Sequence, residues 1–323
     1  LFLFRFGFFK MITRTKFFLG ALALSTVLAA PAARADGISN VGVSVGSLGN
    51  PYFVALVKGA TTQLKSIAPS ASINALSADY DLNKQFSQMD SFVTSGVNLI
   101  LLNGVDPQAV MPAVKRVQKA GATVIAVDVA SAGVDGTVQT DNVAAGRISC
   151  EYLAKKIDGK GEVAIENGPQ VSSIIDRVKG CKEVLAKYPD IKIVSDDQNG
   201  GAERDLGFKV MQGFLVRFPN LKGVFAINDP EAIGGDLAIR QAHRQGIVVT
   251  SVDGAPDIVS SLKDPRSSVV ASASQDPYQM GKDGVAMGQA IKDGKVAKGT
   301  VRLMPPTLIT RDNVGSYKGW TGE

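Results

Sequence analysis

Among 323 residues there is one histidine, His243, and only two cysteines, Cys150 and Cys181. A lone histidine excludes a multi-histidine zinc site, and two cysteines cannot build a cysteine-rich metal cluster or a disulfide framework. Acidic residues are missing altogether from residues 1–35, which hold five of the 35 basic ones: Arg5, Lys10, Arg14, Lys16 and Arg34. Residues 36–323 are therefore balanced at 30 of each sign, which leaves no electrostatic footprint for nucleic acid. There is no G-x-x-x-x-G-K-[ST] phosphate loop and no G-x-G-x-x-G after a strand. What is present is ordinary globular composition, 45% apolar and 20% charged with 34 Gly and 14 Pro. The length suits two domains of about 100–200 residues each.

The N-terminal segment reads as an address. Arg14 and Lys16 follow Met11 and precede the apolar stretch Phe17 to Ala30, which Pro31 breaks. Ala33-Arg34-Ala35 then offers small residues at the two positions a signal peptidase reads, so a secretory signal peptide with cleavage after Ala35 is expected. An uncleaved anchor is the alternative, but the stretch is short for a span and no later run reaches the ~20 apolar residues one needs. Residues 1–10 precede a plausible start Met and read as an overextended gene model.

Beyond Ser39 the chain repeats one unit, a short β-branched run, a turn and an amphipathic stretch. Strands are expected at Val41–Val45, Ile73–Leu76, Leu99–Leu102, Thr123–Val127 and Glu162–Ile165. Four more are expected at Ile191–Val194, Val224–Ile227, Val248–Val252 and Val269–Ala273. One intervening helix places Leu82, Phe86, Met89 and Val93 on one face, and another places Val110, Val114 and Val117. Strands alternating with helices imply βαβ units and parallel sheets covered on both faces. So many strands point to two packed lobes rather than one open sheet.

An internal duplication supports the two lobes. LILLNGVDPQAVMPAVKRVQKAGATVIAVD ends its strands at Asn103 and Asp128, and GVFAINDPEAIGGDLAIRQAHRQGIVVTSVD ends its own at Asn228 and Asp253. Both pairs have the same spacing, and Gly121 and Gly246 fall in register. Ligands of open α/β sheets bind outside the carboxyl ends of the strands. Two facing lobes would therefore converge two Asn and two Asp on a cleft. Each residue taken alone is as readily a helix cap; the matched quartet points to a ligand site.

Little in the sequence suggests catalysis. His243 lies in the helical stretch Ala238–Gln245 on an outer face, so no Ser-His-Asp triad has support. Asp128 and Asp253 could flank a sugar as glycosidase carboxylates do, yet a reversible binding cleft also uses ionised carboxylates to accept from hydroxyls. Asp79-Tyr80-Asp81-Leu82-Asn83 lacks the turn Gly and closing Glu of a calcium loop and reads as a helix start.

Eight segments in order carry a resemblance: GSLGNPYFVALVKGA, LLNGVDPQAV, VIAVDVA, TDNVAAG, DRVKG, VFAINDPEAIGG, SVDGAPD and SQDPYQMG. From Ser39 to Leu308 the chain resembles the periplasmic sugar-binding proteins of ABC importers, in the ribose-binding-like branch of the type I solute-binding family. The resemblance implies an α/β fold of two Rossmann-like lobes with parallel sheets joined by a three-strand hinge. It divides the chain into a signal peptide at 1–35, an N-terminal lobe of 36–140 plus 275–302, and a C-terminal lobe of 141–274 plus 303–323. Carried over, Asn50, Tyr52 and Phe53 open the first lobe's site, the aromatic faces suiting a sugar's C–H groups. Asn103 and Asp128 would bind hydroxyls from that lobe. Arg177, Asn228 and Asp253 would do so from the second, completed by the hinge-proximal Gln275, with Thr140 nearby.

The departures from the family pattern bear on the ligand. Val129 stands where ribose binders commonly have Arg, and Ala202 and Val252 stand where an aromatic is frequent. A neutral monosaccharide or sugar alcohol is therefore expected, with Ser173, Asn167 or Gln170 adding polar contacts. The implied protein is a periplasmic monomer, not an enzyme, without cofactor or metal, delivering its ligand to an ABC permease and ATPase. The alternatives are a sensing module for a chemoreceptor or sensor kinase, and a secreted carbohydrate enzyme. A sugar-responsive repressor shares the fold, but the export signal speaks against it. Cys150 and Cys181 lie on successive helices and either pair in an oxidising periplasm or remain buried thiols.

Overall fold

The computed structural model describes residues 37–320, so the expected signal peptide lies outside the described residues. The first lobe begins with β1 (Asn40–Val45), α1 (Pro51–Ile67), β2 (Ser72–Ser77) and α2 (Leu82–Thr94). It continues with β3 (Leu99–Leu102), α3 (Met111–Lys119), β4 (Thr123–Val127) and β5 (Gly136–Thr140). The second lobe starts with α4 (Asn142–Lys156), β6 (Gly161–Glu166), α5 (Ser172–Leu185), β7 (Ile191–Ser195) and α6 (Arg204–Arg217). Then follow β8 (Leu221–Ala226), α7 (Asp229–Gln241), β9 (Val248–Asp253), α8 (Pro256–Lys263) and β10 (Val269–Ser274). The chain returns through α9 (Pro277–Lys292) and β11 (Thr300–Met304) to the first lobe, and β12 (Thr307–Thr310) joins the second.

Each lobe is built on a six-stranded sheet, ordered β11-β5-β4-β3-β1-β2 in one and β12-β10-β9-β8-β6-β7 in the other. All pairings are parallel except β12 against β10. Central strands such as β3 and β4 are buried along their whole length, as continuous Val/Ile/Leu runs covered by helices on both faces should be. The chain passes between the sheets after β5, after β10 and between β11 and β12. Among the described residues no helix is long and apolar enough to cross a membrane.

The nine expected strands all form, Leu99–Leu102 and Thr123–Val127 with the expected ends and the others with ends shifted by one or more residues; Val224–Ile227 becomes Leu221–Ala226. The strands β5, β11 and β12 carry no clear apolar run, and β11 is an edge whose Val301 and Leu303 face outward. The expected face of α2 is rotated, because its buried residues are Gln85, Gln88, Met89 and Phe92 while Val93 is exposed. Hydrogen bonding explains this. Gln88 Nε2 donates to Ser77 O, and Gln85 Nε2 donates to Asn103 O, so two glutamines occupy core positions that hydropathy assigns to apolar residues. His243 is not helical either: α7 ends at Gln241 and His243 turns the exposed chain at φ +49°.

Glycines set how closely the layers approach. A Cβ at Gly146 on α4 would lie 2.0 Å from the Arg177 carbonyl oxygen on α5, and one at Gly180 2.1 Å from Val143 O. Beside this contact Cys150 and Cys181 form a disulfide between the same two helices, which settles their pairing. Gly146→Ala should therefore cost at least ~1–3 kcal/mol by overpacking, measured by denaturant unfolding. Gly213→Ala, on an exposed face with nothing within 4 Å of its Cβ, should instead gain about 0.5–1 kcal/mol. Equal effects at both sites would refute the close-approach account. Replacing both cysteines by Ala should cost ~2–4 kcal/mol.

Candidate functional site

The carboxyl ends of both sheets' strands face each other, and polar residues follow directly on the apolar runs. Asn103 follows β3, Asp128 follows β4, Asn228 lies just beyond β8, and Asp253 ends β9. Both aspartates sit at positive φ, +69° and +136°, where the chain turns sharply out of the strand. Between the lobes lies a cavity of about 30 Å³, lined by Asn50, Tyr52, Phe53, Asn103, Asp128, Arg177, Asn228, Asp253 and Gln275. Nine of the ten sequence-predicted residues are thus brought together. Thr140, at the end of β5, is not in the lining, and its buried hydroxyl has no hydrogen-bond partner among the described residues. Ser173 joins the lining, whereas Asn167 and Gln170 line a separate groove with Lys179 and Lys182.

The first lobe presents one aromatic-carboxylate unit. Asn50 caps α1, its Oδ1 accepting from Tyr52 N at 2.9 Å, and the first turn carries Tyr52 and Phe53 into the cleft. Tyr52 Oη donates to Asp128 Oδ1 at 2.9 Å, and Asn103 Nδ2 donates to Asp128 Oδ2 at 2.8 Å. Asn103 Oδ1 accepts from Gly46 N at 3.0 Å. Both ends of the Asn103 amide therefore hydrogen-bond within the protein, and the residue orients the Asp128 carboxylate.

The second lobe presents a buried guanidinium. Arg177 Nε donates to Asn142 Oδ1 at 2.9 Å, and Nη1 donates to Ile227 O at 2.8 Å and more weakly to Asp253 Oδ1 at 3.4 Å. The hydrogen bonds of the guanidinium to protein run through Nε and Nη1 among the described residues. Gln275 Nε2 donates to the same Asp253 oxygen at 2.7 Å. Asn228 does act as a cap, its Oδ1 accepting from Glu231 N, but its Nδ2 also donates to Ala202 O. Ala202 N in turn donates to Glu231 Oε1. The loop that forms the second-lobe wall is thus fastened from both sides at Ala202, which sits at φ +60°. The three departures noted in the sequence, Val129 of the first lobe and Ala202 and Val252 of the second, share one apolar cluster.

Sequence reasoning missed Tyr80. It lines both the inner cavity and a mouth groove of 520 Å³ that runs past Glu203 and Pro256. A Cβ at Gly46 would lie 2.7 Å from its ring, so the absence of a side chain there makes room for the phenol. Its D-Y-D context signalled only the Asp81 cap of α2; the placement comes from the left-handed turn at Asp79 and Tyr80, φ +52° and +55°.

Electrostatics of the cleft are dominated by burial. Desolvation raises Asp128 and brings Asp253 up to about 6, while Arg177 pulls both back down. Beneath the site Glu166 and Glu231 are fully buried, and three of their four carboxyl oxygens have no partner among the described residues. Burial pushes both well above the ordinary glutamate value, with mutual repulsion adding to Glu231. Asp229, buried beside Asp253, rises to about 8. Each group binds its proton more tightly folded than unfolded. The stability it contributes is complete below the ordinary carboxyl range and is lost as pH rises through the folded value. Unfolding free energy should accordingly decline between about pH 4 and 8, and Glu166→Gln or Glu231→Gln should flatten that decline. A wild-type stability that climbs across this window in urea titrations would contradict the assignment.

The sequence matches the family model of the periplasmic binding protein domain over residues 41–296. It is 34% identical over 243 residues to the xylitol-binding protein of Mycolicibacterium smegmatis, covering 74% of this chain and 68% of that protein. It is 30% identical over 264 residues to the ribose import binding protein of Bacillus subtilis, covering 81% and 84% respectively. Among solved structures, the Caulobacter myo-inositol binding protein bound to myo-inositol superposes with a TM-score of 0.78 at 27% identity, over 86% of this chain and 95% of that one. A Mycobacterium smegmatis ABC transporter solute binding protein with bound glycerol gives 0.81 at 25% identity, over 89% and 100%. Two parallel-sheet lobes closing on a polar cleft, together with these matches, show that the chain belongs to the periplasmic binding protein domain family.

Proposed function

We propose that the chain is an exported receptor that captures a neutral monosaccharide or sugar alcohol between its lobes and delivers it to an ABC importer. The observation that carries this reading is a cleft lined by one carboxylate from each lobe and a single buried guanidinium, Arg177, which hydrogen-bonds Asp253 and attracts Asp128 through space. Carboxylate lone pairs accept from ligand hydroxyls, Arg177 donates to a ring or hydroxyl oxygen, and the Tyr52 and Phe53 rings suit an apolar C–H face. Charges within the cleft already oppose one another, which favours an uncharged guest. The relatives named for xylitol and ribose and the structures holding myo-inositol and glycerol support the same ligand class.

In this reading the protein binds without turnover. Asp128 and Asp253 are each tied to two protein donors, an arrangement for holding hydroxyls rather than for proton transfer. The site residues are Asn50, Tyr52, Phe53, Asp128, Arg177, Asp253 and Gln275, with Asn103 and Asn228 positioning their neighbours. Thr140 stays outside the contact set. The lobes divide at 36–140 with 275–302 and at 141–274 with 303–323, and a cleaved signal peptide ending at Ala35 directs the chain to the periplasm. The cavity lies between the lobes, lined by residues of both, so a sugar enters when they part. It then favours the closed form because only there do both lobes contact it.

Residues 36–323, freed of carried-over ligand by unfolding and refolding, should melt higher with one of a panel of pentoses, hexoses and polyols. Ligand at ~1,000 times its dissociation constant should stabilise by about 4 kcal/mol. Arg177→Ala and Asp128→Ala should each weaken binding by at least ~1.5–3 kcal/mol in calorimetry. No melting shift across the whole panel would refute the sugar reading, and near-wild-type affinity in both variants would refute the site.

A further inference from the structure

After β12 the chain runs on along the second lobe to the seam with the first. A 3-10 turn at Val314–Ser316 packs against α8, and the following residues run along the turn that carries Asp253. Tyr317 Oη donates to Gly254 O at 2.9 Å. Trp320 Nε1 donates to Asp253 O at 2.8 Å, a carbonyl that also accepts from Gln275 N at 2.9 Å. Asp253 is a non-glycine residue at φ +136°, a strained conformation that persists only where its surroundings hold it.

The indole ring meanwhile belongs to the other lobe. Trp320 is 3% exposed and joins the first-lobe core with Val43, Leu56 and Phe53. Its ring meets Tyr52 edge-on, with centroids 5.6 Å apart and planes at 89°. Tyr52 is the residue whose hydroxyl holds Asp128. One side chain thus touches the aromatic that orients the first-lobe carboxylate and the backbone that bears the second-lobe carboxylate. The covalent chain crosses between the sheets three times, and this contact adds a noncovalent crossing at the Tyr52 and Asp253 side of the site.

We propose that the C-terminal segment Asn313–Trp320 is a strap across the lobes, with Trp320 a positioning residue that holds Asp253 and Tyr52 and favours the closed form. The proposal rests on the sugar-binding reading for its effect on affinity, but not for its effect on lobe separation. Removing the strap takes away one of the contacts that hold the lobes together, beside others such as Ala130 N to Ser172 Oγ, so bound ligand escapes faster and the ligand-free lobes spend more time apart.

The test uses the whole mature chain with the sugar or polyol that gives the largest melting shift. Trp320→Phe keeps the ring and loses the N–H, and should raise the dissociation rate constant about 3-fold. Trp320→Ala loses both contacts and should raise it about 10-fold, with the association rate constant little changed. Spin labels at exposed Lys119 and Lys209, one on each lobe, should show longer ligand-free distances in both variants. Tyr317→Phe serves as a milder variant if Trp320→Ala does not fold. A lower melting temperature with unaltered dissociation rate and unaltered label distances would overturn the proposal, leaving the tail a purely structural element. If the wild-type chain binds no sugar at all, the functional reading fails while the label distances still decide the strap.

Discussion

Gathering carboxylates from two lobes into one dry cleft is unfavourable unless a cation is buried with them. Here that cation is Arg177, which lowers Asp128 in one lobe and Asp253 and Glu231 in the other against the effect of burial. Its position is fixed by close helix packing. Gly146 lets α4 approach the Arg177 backbone, the Cys150–Cys181 disulfide ties the same helices, and Asn142 at the start of α4 accepts from its Nε. Because the guanidinium sits on the second lobe while one of its partners sits on the first, the attraction grows as the lobes approach. Closure thus adds the Asp128 attraction to the Asp253 pair that the second lobe already holds.

The same economy shapes the polar lining. Tyr52, Asp128 and Asn103 satisfy one another on one side, and Gln275, Asp253 and Arg177 do so on the other. A ligand therefore meets oriented groups whose remaining lone pairs and N–H bonds point inward, with little rearrangement needed at the moment of capture. The apolar cluster of Val129, Ala202 and Val252 backs the second-lobe wall. Its lack of a second guanidinium keeps the cleft near neutrality.

Much of this plan was legible in the sequence because polar residues at the ends of buried strands stand out against their surroundings. The Asn103/Asp128 and Asn228/Asp253 duplication located the two halves of the cleft without any knowledge of how the lobes face. Its limits are equally physical. Asn103 and Asn228 line the cavity as expected, and their amides also hydrogen-bond neighbouring protein atoms, which spacing does not reveal. Gln85 and Gln88 broke the apolar periodicity of α2 because hydrogen bonds let them sit in the core. Tyr80 and Trp320 lie in short, polar, aperiodic stretches, and their importance comes from contacts made across tens to hundreds of residues of chain. The strands β5, β11 and β12, short and with Gly, Thr or Arg among their residues, were silent for the same reason: their pairing partners, not their own composition, make them strands.

Trp320 is the sole tryptophan in the chain. Its indole is sealed against Tyr52 at the seam between the lobes, so light absorbed at wavelengths that tyrosine does not take up is emitted from that seam alone. The protein thus carries a built-in optical gauge of its own opening. Water reaching the ring as the lobes separate shifts and dims the emission, and resealing restores it, with no dye attached and no surface altered.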